Sequence, residues 1–511
     1  MDVGIGRWIS FWARVAPDHE AIVFGQDTIT YAALDEQVNR MANALTGRAV
    51  RSGDRVAGLL GNRPELLVAL FACAKLGALL VPLNVRLVPR EIEFIVNDAG
   101  PRVLISESAF APVLEGLKDD LGSVEAFVTL DPGGVGEPYA EFAATASAAP
   151  PDASGAGGEL AICYTSGTTG VPKGAVLTNS SIIFGSLQEI VAYGLGHGDR
   201  HLLVVPLCFT GGLVTASMPI FHGGATMYLE RAFDPSAVME RIGSERITHM
   251  MGVPTMFAAM AQMPGFANAD FGSVELFLVG AAPVPAALVE TYQSRGVTGF
   301  TNAYGLTEGT GFNLFLPASD VMDLPGAYLP AAYTDARVTD PDGNDVALGE
   351  SGELTLSGPC VMEGYWRNEE ATAETIRDGW LYTGDLVKLG ENGYIYPVDR
   401  IKDMIISGGL NIYPAEVEGA IFGHPKLVES TVIGLPEEEW GEAVTIVAVA
   451  KPDEEVDLEE LIEFCSDKLA DYKRPKAVIL VDELPRNAGG KVLKRDLRED
   501  FADHYRQAAG T

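Results

Sequence analysis

Short apolar runs that alternate with helix-patterned stretches constrain this chain most. RVAGLL at residues 55–60 reads as a buried strand, ELLVALFACAKLGA from Glu65 as a helix, and Leu80 to Leu83 as the next strand. HLLVV (201–205), ATMYL (225–229), HMMGV (249–253) and LFLV (276–279) repeat the theme, each followed by turn residues and a helical pattern. Continuous apolar strands spaced by helices belong to mostly parallel sheets covered on both faces. The fold class expected is therefore α/β: a large N-terminal domain of mostly parallel sheets flanked by helices. Tyr31 to Leu45 reads as a further helix, with Thr30 as its N-cap.

From Ala336 to Tyr396 the texture changes to short β-like runs, ARVTD and GELTLSG, separated by Gly, Pro and Asp, which marks a β subdomain. Beyond Arg400 the remaining 111 residues hold their own strand and helix signals, among them EVEGAIF, TVIGLP, VTIVAVA, LEELIEFCSDKL and KAVILV, enough for a small α+β domain. The expected division is 1–399 and 400–511. The Ala-, Gly- and Pro-rich segment 144–158 reads as a connector.

That connector leads into YTSGTTGVPKGAVLT, residues 164–178, where six consecutive Ser, Thr or Gly residues are followed by a lysine. A Ser/Thr/Gly cluster alone is a surface turn. In this order, glycines let backbone N–H groups approach phosphate oxygens, hydroxyls donate further hydrogen bonds and Lys173 adds charge, so the loop reads as an ATP clamp. It is not the common phosphate loop, because Pro172 precedes the lysine and Gly174 follows it.

With 511 residues and 47% hydrophobic content the chain can fill large cores and divide into two to four structural units. Thirty-six basic against 70 acidic residues give a net charge of −34, which opposes nonspecific binding to nucleic acid or anionic lipid. An anionic substrate must find local charge, and Lys473, Arg474, Lys476, Arg486, Lys491, Lys494 and Arg495 supply it near the end. Five scattered cysteines without CxxC spacing indicate neither a disulfide framework nor structural zinc, and fit a reducing cytoplasm. No export signal or membrane span is expected. HExxH, G-x-S-x-G and a strand-linked GxGxxG are all absent, which removes the zinc-hydrolase, serine-hydrolase and nicotinamide readings.

In NAYGLTE, residues 302–308, an aromatic ring can cover adenine, a threonine can hold an α-phosphate and a carboxylate can ligate magnesium. WLYTGD ends in Asp385, whose two oxygens suit both ribose hydroxyls. DRIKDMIISGGLNIYPAEVE (399–418) and PRNAGGKVLKR (485–495) follow in order. Together with the loop, these five strings resemble those of the adenylate-forming superfamily, which includes acyl-CoA synthetases, adenylation domains and luciferases. PEEEWGEAV (436–444) and LADYKRPK (469–476) resemble its small domain, so the likeness spans most of the chain.

The resemblance implies roles for individual residues. Thr165, Ser166, Gly167, Thr168, Thr169, Gly170 and Lys173 would embrace the β- and γ-phosphates. Gly280, Ala281, Ala282 and Pro283 would form the adenine corner, with Asn302, Ala303, Tyr304, Gly305 and Thr307 completing the nucleotide site and Glu308 holding Mg2+. Asp385 and Arg400 would face the ribose, Lys402 would be the pivot of a small mobile C-terminal domain, and Lys491 the adenylation lysine. Ser407, Gly408, Gly409 and Leu410 would lie on the CoA side. Phe209, Gly211, Gly212 and Ala303 would line the acyl pocket. Two departures are visible: PLCF at 206–209 puts Phe209 where many relatives have histidine, and Leu410 stands where close relatives often have glutamate.

The implied reaction is ATP-dependent ligation of a carboxylic acid to CoA through acyl-AMP, with ATP, Mg2+ and CoA as cofactors. Rivals sharing the first half-reaction are a carrier-protein-loading adenylation enzyme, a luciferase-like oxygenase and a silent acyl-AMP binder. Lys491, Glu308 and Asp385 argue against the last. A homodimer through the large domain is common among similar enzymes.

Overall fold

The computed structural model describes residues 4–144, 146–151, 158–165, 171–282, 284–438, 440–466, 468–486 and 492–505, apart from the side chain of Ala144. The chain forms two compact units, Met1–Ala336 with Leu356–Leu381, and Arg337–Thr355 with Tyr382–Thr511.

Two large sheets build the first unit. One runs, edge to edge, Leu329–Pro330, Leu314–Phe315, Phe300–Tyr304, Leu276–Val279, His249–Gly252, Arg200–Leu203, Thr226–Leu229, Glu20–Phe24 and Asp27–Thr30. Its six central strands are parallel, and antiparallel pairs close both edges. The other runs Gly364–Tyr365, Lys173–Thr178, Glu159–Thr165, Leu79–Leu83, Arg55–Leu59, Val103–Ser106, Ala126–Thr129 and Glu137–Pro138, parallel from Glu159–Thr165 onward. The apolar runs read from sequence are these strands, with ends shifted by a residue or two.

The helix Pro64–Leu76 shows why two sheets form. Apart from Glu65 and Lys75 at its ends its residues are apolar, eleven are buried, and residues 66–74 and Leu76 join one core with Val56, Leu80 and Ala161 of one sheet and Ile22, Leu203 and Leu229 of the other. A helix without a polar face has to lie inside the protein. Gly77 ends it in the left-handed conformation, φ 69°, which glycine adopts without steric cost. Thr30 caps the helix Tyr31–Gly47, accepting from Ala33 N–H at 3.2 Å.

The second unit contains the antiparallel pair formed by Ile395–Arg400 and the strand Trp380–Leu389 from Tyr382 on, then a sheet in the order Leu410–Ile412, Ile405–Ser407, Gly441–Ala450 and Leu427–Glu437, with Ala477–Leu480 parallel to Gly441–Ala450. The helices Pro414–Ile421 and Leu458–Phe464 pack Val417, Ile421 and Leu461 against Ile405, Val444 and Ile446 of this sheet. Residues 337–355 join this unit, and the division expected after residue 399 falls inside it, in the strand Ile395–Arg400. Among the described residues no helix is long and apolar enough to cross a membrane.

Candidate active site

In the first unit the candidate residues cluster where strands end. Thr165 and Lys173 are register partners closing the hairpin Glu159–Thr165 and Lys173–Thr178, and Thr165 Oγ1 donates to the Lys173 carbonyl at 3.4 Å. The loop between them carries Ser166, Gly167, Thr168, Thr169 and Gly170, all outside the described residues. Gly174 is glycine for packing, since a Cβ there would meet Ile162 Cγ2 at 2.6 Å.

The ammonium of Lys173 lies 5.3 Å from the centre of the Tyr365 ring, and the Tyr365 hydroxyl donates to Glu308 Oε1 at 2.7 Å. Tyr365 therefore links the lysine of the loop to the carboxylate of NAYGLTE. The short strand Gly364–Tyr365 pairs with Ala175 and Val176, and Met362 N–H donates to the Glu308 carbonyl at 2.8 Å, which fixes that link. Sequence reasoning missed Tyr365 because it lies 57 positions from Glu308 and in none of the five strings.

NAYGLTE itself is the end of the strand Phe300–Tyr304 followed by a 3-10 turn, Thr307–Gly309. The loop doubles back sharply: Gly311 N–H donates to the Leu306 carbonyl and Asn313 N–H to that of Tyr304, both at 3.0 Å. A Cβ on Gly305 would stand 1.2 Å from the Gly311 carbonyl oxygen, so only glycine fits. Asn302 is 1% exposed, and neither its Nδ2 nor its Oδ1 has a hydrogen-bond partner. The Tyr304 and Tyr328 rings meet edge-on, 6.2 Å apart.

Gly280, Ala281 and Ala282 follow the strand Leu276–Val279; Pro283 lies outside the described residues. Gly280 N–H donates to the Gly252 carbonyl at 3.0 Å, and Ala281 takes φ 69°, a strained value for a residue with a Cβ. The Met251 methyl would touch a Cβ on Gly280 at 3.0 Å and one on Gly211 at 4.0 Å, so Met251 occupies the space between these two glycines. Phe209 starts the turn into the π-helical segment Gly211–Thr215, its carbonyl accepting from Gly212 and Leu213 N–H at 3.0 and 2.8 Å. A Cβ on Gly212 would meet the Pro206 carbonyl oxygen at 2.1 Å, so the room this glycine leaves is filled by backbone. Ala303 is buried in an apolar cluster with Leu276 and Leu278, against which Met251 packs.

In the second unit Asp385 and Arg400 are cross-strand partners, with Arg400 Nε 2.5 Å from Asp385 Oδ1. Asp399 accepts from Ala415 N–H at 2.8 Å, at the start of the helix Pro414–Ile421. Lys402 lies in the 3-10 turn Ile401–Asp403. Burial, helped by the Arg400 and Arg498 cations and opposed by Asp403, holds its ammonium below the usual lysine range. Ser407 and Leu410 flank a two-residue hairpin turn in which Gly408 and Gly409 have φ 58° and 78°, the geometry for which glycine is favoured at both positions. Gly408 N–H donates to the Trp440 carbonyl at 2.8 Å, and Lys476 Nζ stands 4.9 Å from the Trp440 ring centre. Lys491 lies outside the described residues.

Residues 9–366 match the AMP-binding enzyme family, and residues 416–491 match the AMP-binding enzyme C-terminal domain. The chain belongs to the AMP-binding enzyme family. This AMP-binding enzyme is 40% identical over 500 residues to a feruloyl-CoA synthase of an Amycolatopsis species, covering 98% of this chain and 99% of the relative. It is 37% identical to an indoleacetate–CoA ligase of Aromatoleum aromaticum, covering 97% and 98%. Among solved structures, ATP-bound MatB from Rhodopseudomonas palustris superposes with a TM-score of 0.89 at 34% identity, covering 99% of this chain and all of that one. The expected α/β architecture and membership of the adenylate-forming superfamily hold.

Proposed function

We propose that this AMP-binding enzyme is an ATP-dependent acid–CoA ligase that converts a carboxylic acid and ATP to acyl-AMP and pyrophosphate, then acyl-AMP and CoA to acyl-CoA and AMP. The single observation that carries the reading is end-to-end likeness to CoA ligases at 40% and 37% identity. The two named relatives take aromatic acids, and the open face of Gly211 beside flexible Met251 is compatible with a flat, bulky acyl group.

A carboxylate resists attack by a thiol because oxide is a poor leaving group, and adenylation replaces it with a stabilised phosphate. In this reading the loop 165–170 and Lys173 hold the β- and γ-phosphates, Thr307 the α-phosphate, and Tyr304 covers adenine while Asp385 receives the ribose hydroxyls. Glu308 would hold Mg2+, since one carboxylate supplemented by phosphate oxygens is a donor set that a small hard cation accepts. The ion, when bound, offsets negative charge on the phosphates. Lys491 bridges the acid carboxylate and the nucleotide as charge shifts; two unit charges about 4 Å apart interact by about 4 kcal/mol at an effective dielectric near 20. Lys402 serves as the pivot by which residues beyond 399 exchange roles between half-reactions, bringing Ser407, Gly408, Gly409 and Leu410 to the thiol step.

The test is pyrophosphate release by the purified chain across a panel of aryl-propenoic, aryl-acetic, benzoic and fatty acids, followed by thioester detection with free CoA. Acid-dependent pyrophosphate release with acyl-CoA formation is expected. Release without thioester on free CoA would favour loading of a carrier protein instead, and no release with any acid would remove the reading.

A further inference from the structure

A second cluster of ligand-type side chains sits at the opposite end of the same strands. His201 and His249 are register partners on the adjacent parallel strands Arg200–Leu203 and His249–Gly252, so their side chains leave the same face. Asp199, two residues before His201, shares that face by the period-two alternation of extended chain. Each of the three offers a ligand atom, and these atoms all lie within 4.8 Å of one another. Asp199 Oδ1 stands 3.8 Å from His249 Nδ1, while Oδ2 is held by Gly196 N–H at 2.6 Å, which orients the carboxylate. Thr248 Oγ1 lies 2.7 Å from His249 Nδ1.

A second observation points to a ligand. His201 is 9% exposed, and its Nε2 is buried with no hydrogen-bond partner. A cavity of about 20 Å³ is lined by His201 and His249, space for one water molecule or one ion. Glu189, from the helix Asn179–Tyr193, lines the same cavity, and its Oε2 is also buried and unpartnered.

We propose that Asp199, His201 and His249 form a zinc site, separate from the magnesium assigned to Glu308, with the fourth position open to water or Glu189. Two imidazole nitrogens and one carboxylate suit a borderline ion such as Zn2+ better than Mg2+ or Ca2+, which take oxygen. The His201 and His249 rings are stacked 4.7 Å apart at 13°. Parallel rings cannot both aim a nitrogen at one ion, so binding requires one imidazole to rotate about χ2. Zinc bonds of about 2.0–2.2 Å then bring the ligand atoms to roughly 3.5 Å from one another. The ion would clamp the strands that carry Met251 and lead toward Phe209.

The full chain, stripped by a chelator that is then removed, is titrated with Zn2+ and separately with Co2+. One equivalent bound, a raised Tm and the visible absorption of low-coordinate Co2+ are expected, with excess Mg2+ unable to compete. Asp199→Asn and His249→Gln should each weaken zinc binding at least about tenfold, a scale set by the loss of groups around known metal sites. His504→Gln should leave it unchanged. Absence of bound zinc, or binding that these substitutions leave intact, overturns the proposal. The Co2+ spectrum of the unaltered chain needs no variant to fold, and a featureless spectrum overturns it as well. Pyrophosphate release is not the readout, so failure here is distinct from failure of the ligase reading.

Discussion

At the scale of single residues, the link Lys173–Tyr365–Glu308 is the most informative geometry. The Tyr365 hydroxyl holds Glu308 Oε1 at 2.7 Å while its ring lies beneath the lysine, so one side chain orients the groups proposed to meet phosphate and magnesium. Tyr365→Phe keeps the ring and removes the hydroxyl. A hydrogen bond to a charged group contributes about 1.5–3 kcal/mol, so acid-dependent pyrophosphate release should fall by about tenfold or more, with a raised Mg2+ requirement. Unchanged release and unchanged Mg2+ dependence would show that Glu308 is positioned without it. Motif reading located Lys173 and Glu308 because their neighbours carry a pattern, whereas Tyr365 becomes visible only when a two-residue strand is laid against Lys173–Thr178. Gly212, expected in the acyl pocket, is held to glycine by backbone packing, since the Pro206 carbonyl oxygen lies 2.1 Å from where a Cβ would stand.

At the scale of elements, the short turn Ile401–Asp403 joins the strand ending at Arg400 to the hairpin around Gly408 and Gly409. Arg498 donates to Asp403 at 2.7 Å, which anchors one side of Lys402. If Lys402 is the pivot, Lys402→Pro, which fixes φ and removes an N–H, should slow thioester formation from supplied acyl-AMP far more than pyrophosphate release. Equal slowing of both steps, or full turnover, would take the pivot away from Lys402. Central strands such as Leu276–Val279 were legible because both faces are buried and the runs are apolar throughout. The antiparallel edges Asp27–Thr30, Leu314–Phe315 and Leu329–Pro330 were not, because short edge strands are set by their partners and carry little pattern of their own.

At the scale of the whole molecule, stability should depend on pH through histidines that folding keeps neutral. His222 stacks on Trp8 with centroids 4.2 Å apart and shares a hydrogen bond with Ser186 at 3.0 Å; burial lowers its pKa from 6.5 to about 4. Unfolding lets this ring take up a proton at a higher pH than the folded state allows. Stability present above about pH 6.5 is therefore lost as pH falls toward about 4, by on the order of 2 kcal/mol from this residue. The Tm of His222→Phe should fall less steeply than that of the unaltered chain over that range, and identical slopes would assign the effect elsewhere. The strand and helix signals beyond Arg400 mark a separate C-terminal part, and the change of texture near residue 336 marks a β subdomain. That 337–355 joins the C-terminal unit was not legible, because it does so through contacts distant in sequence, which a linear scan for linkers does not register.

The backbone crowding at Gly212 and Gly305 sets which changes could broaden the range of acids activated. Neither position tolerates a methyl group, so randomising them would mostly yield misfolded variants, while Gly211 and Met251 border space that a flexible thioether already shares. If Gly211 lines the acyl pocket as proposed, a library confined to that pair would redraw substrate preference without touching the scaffold's narrowest seams.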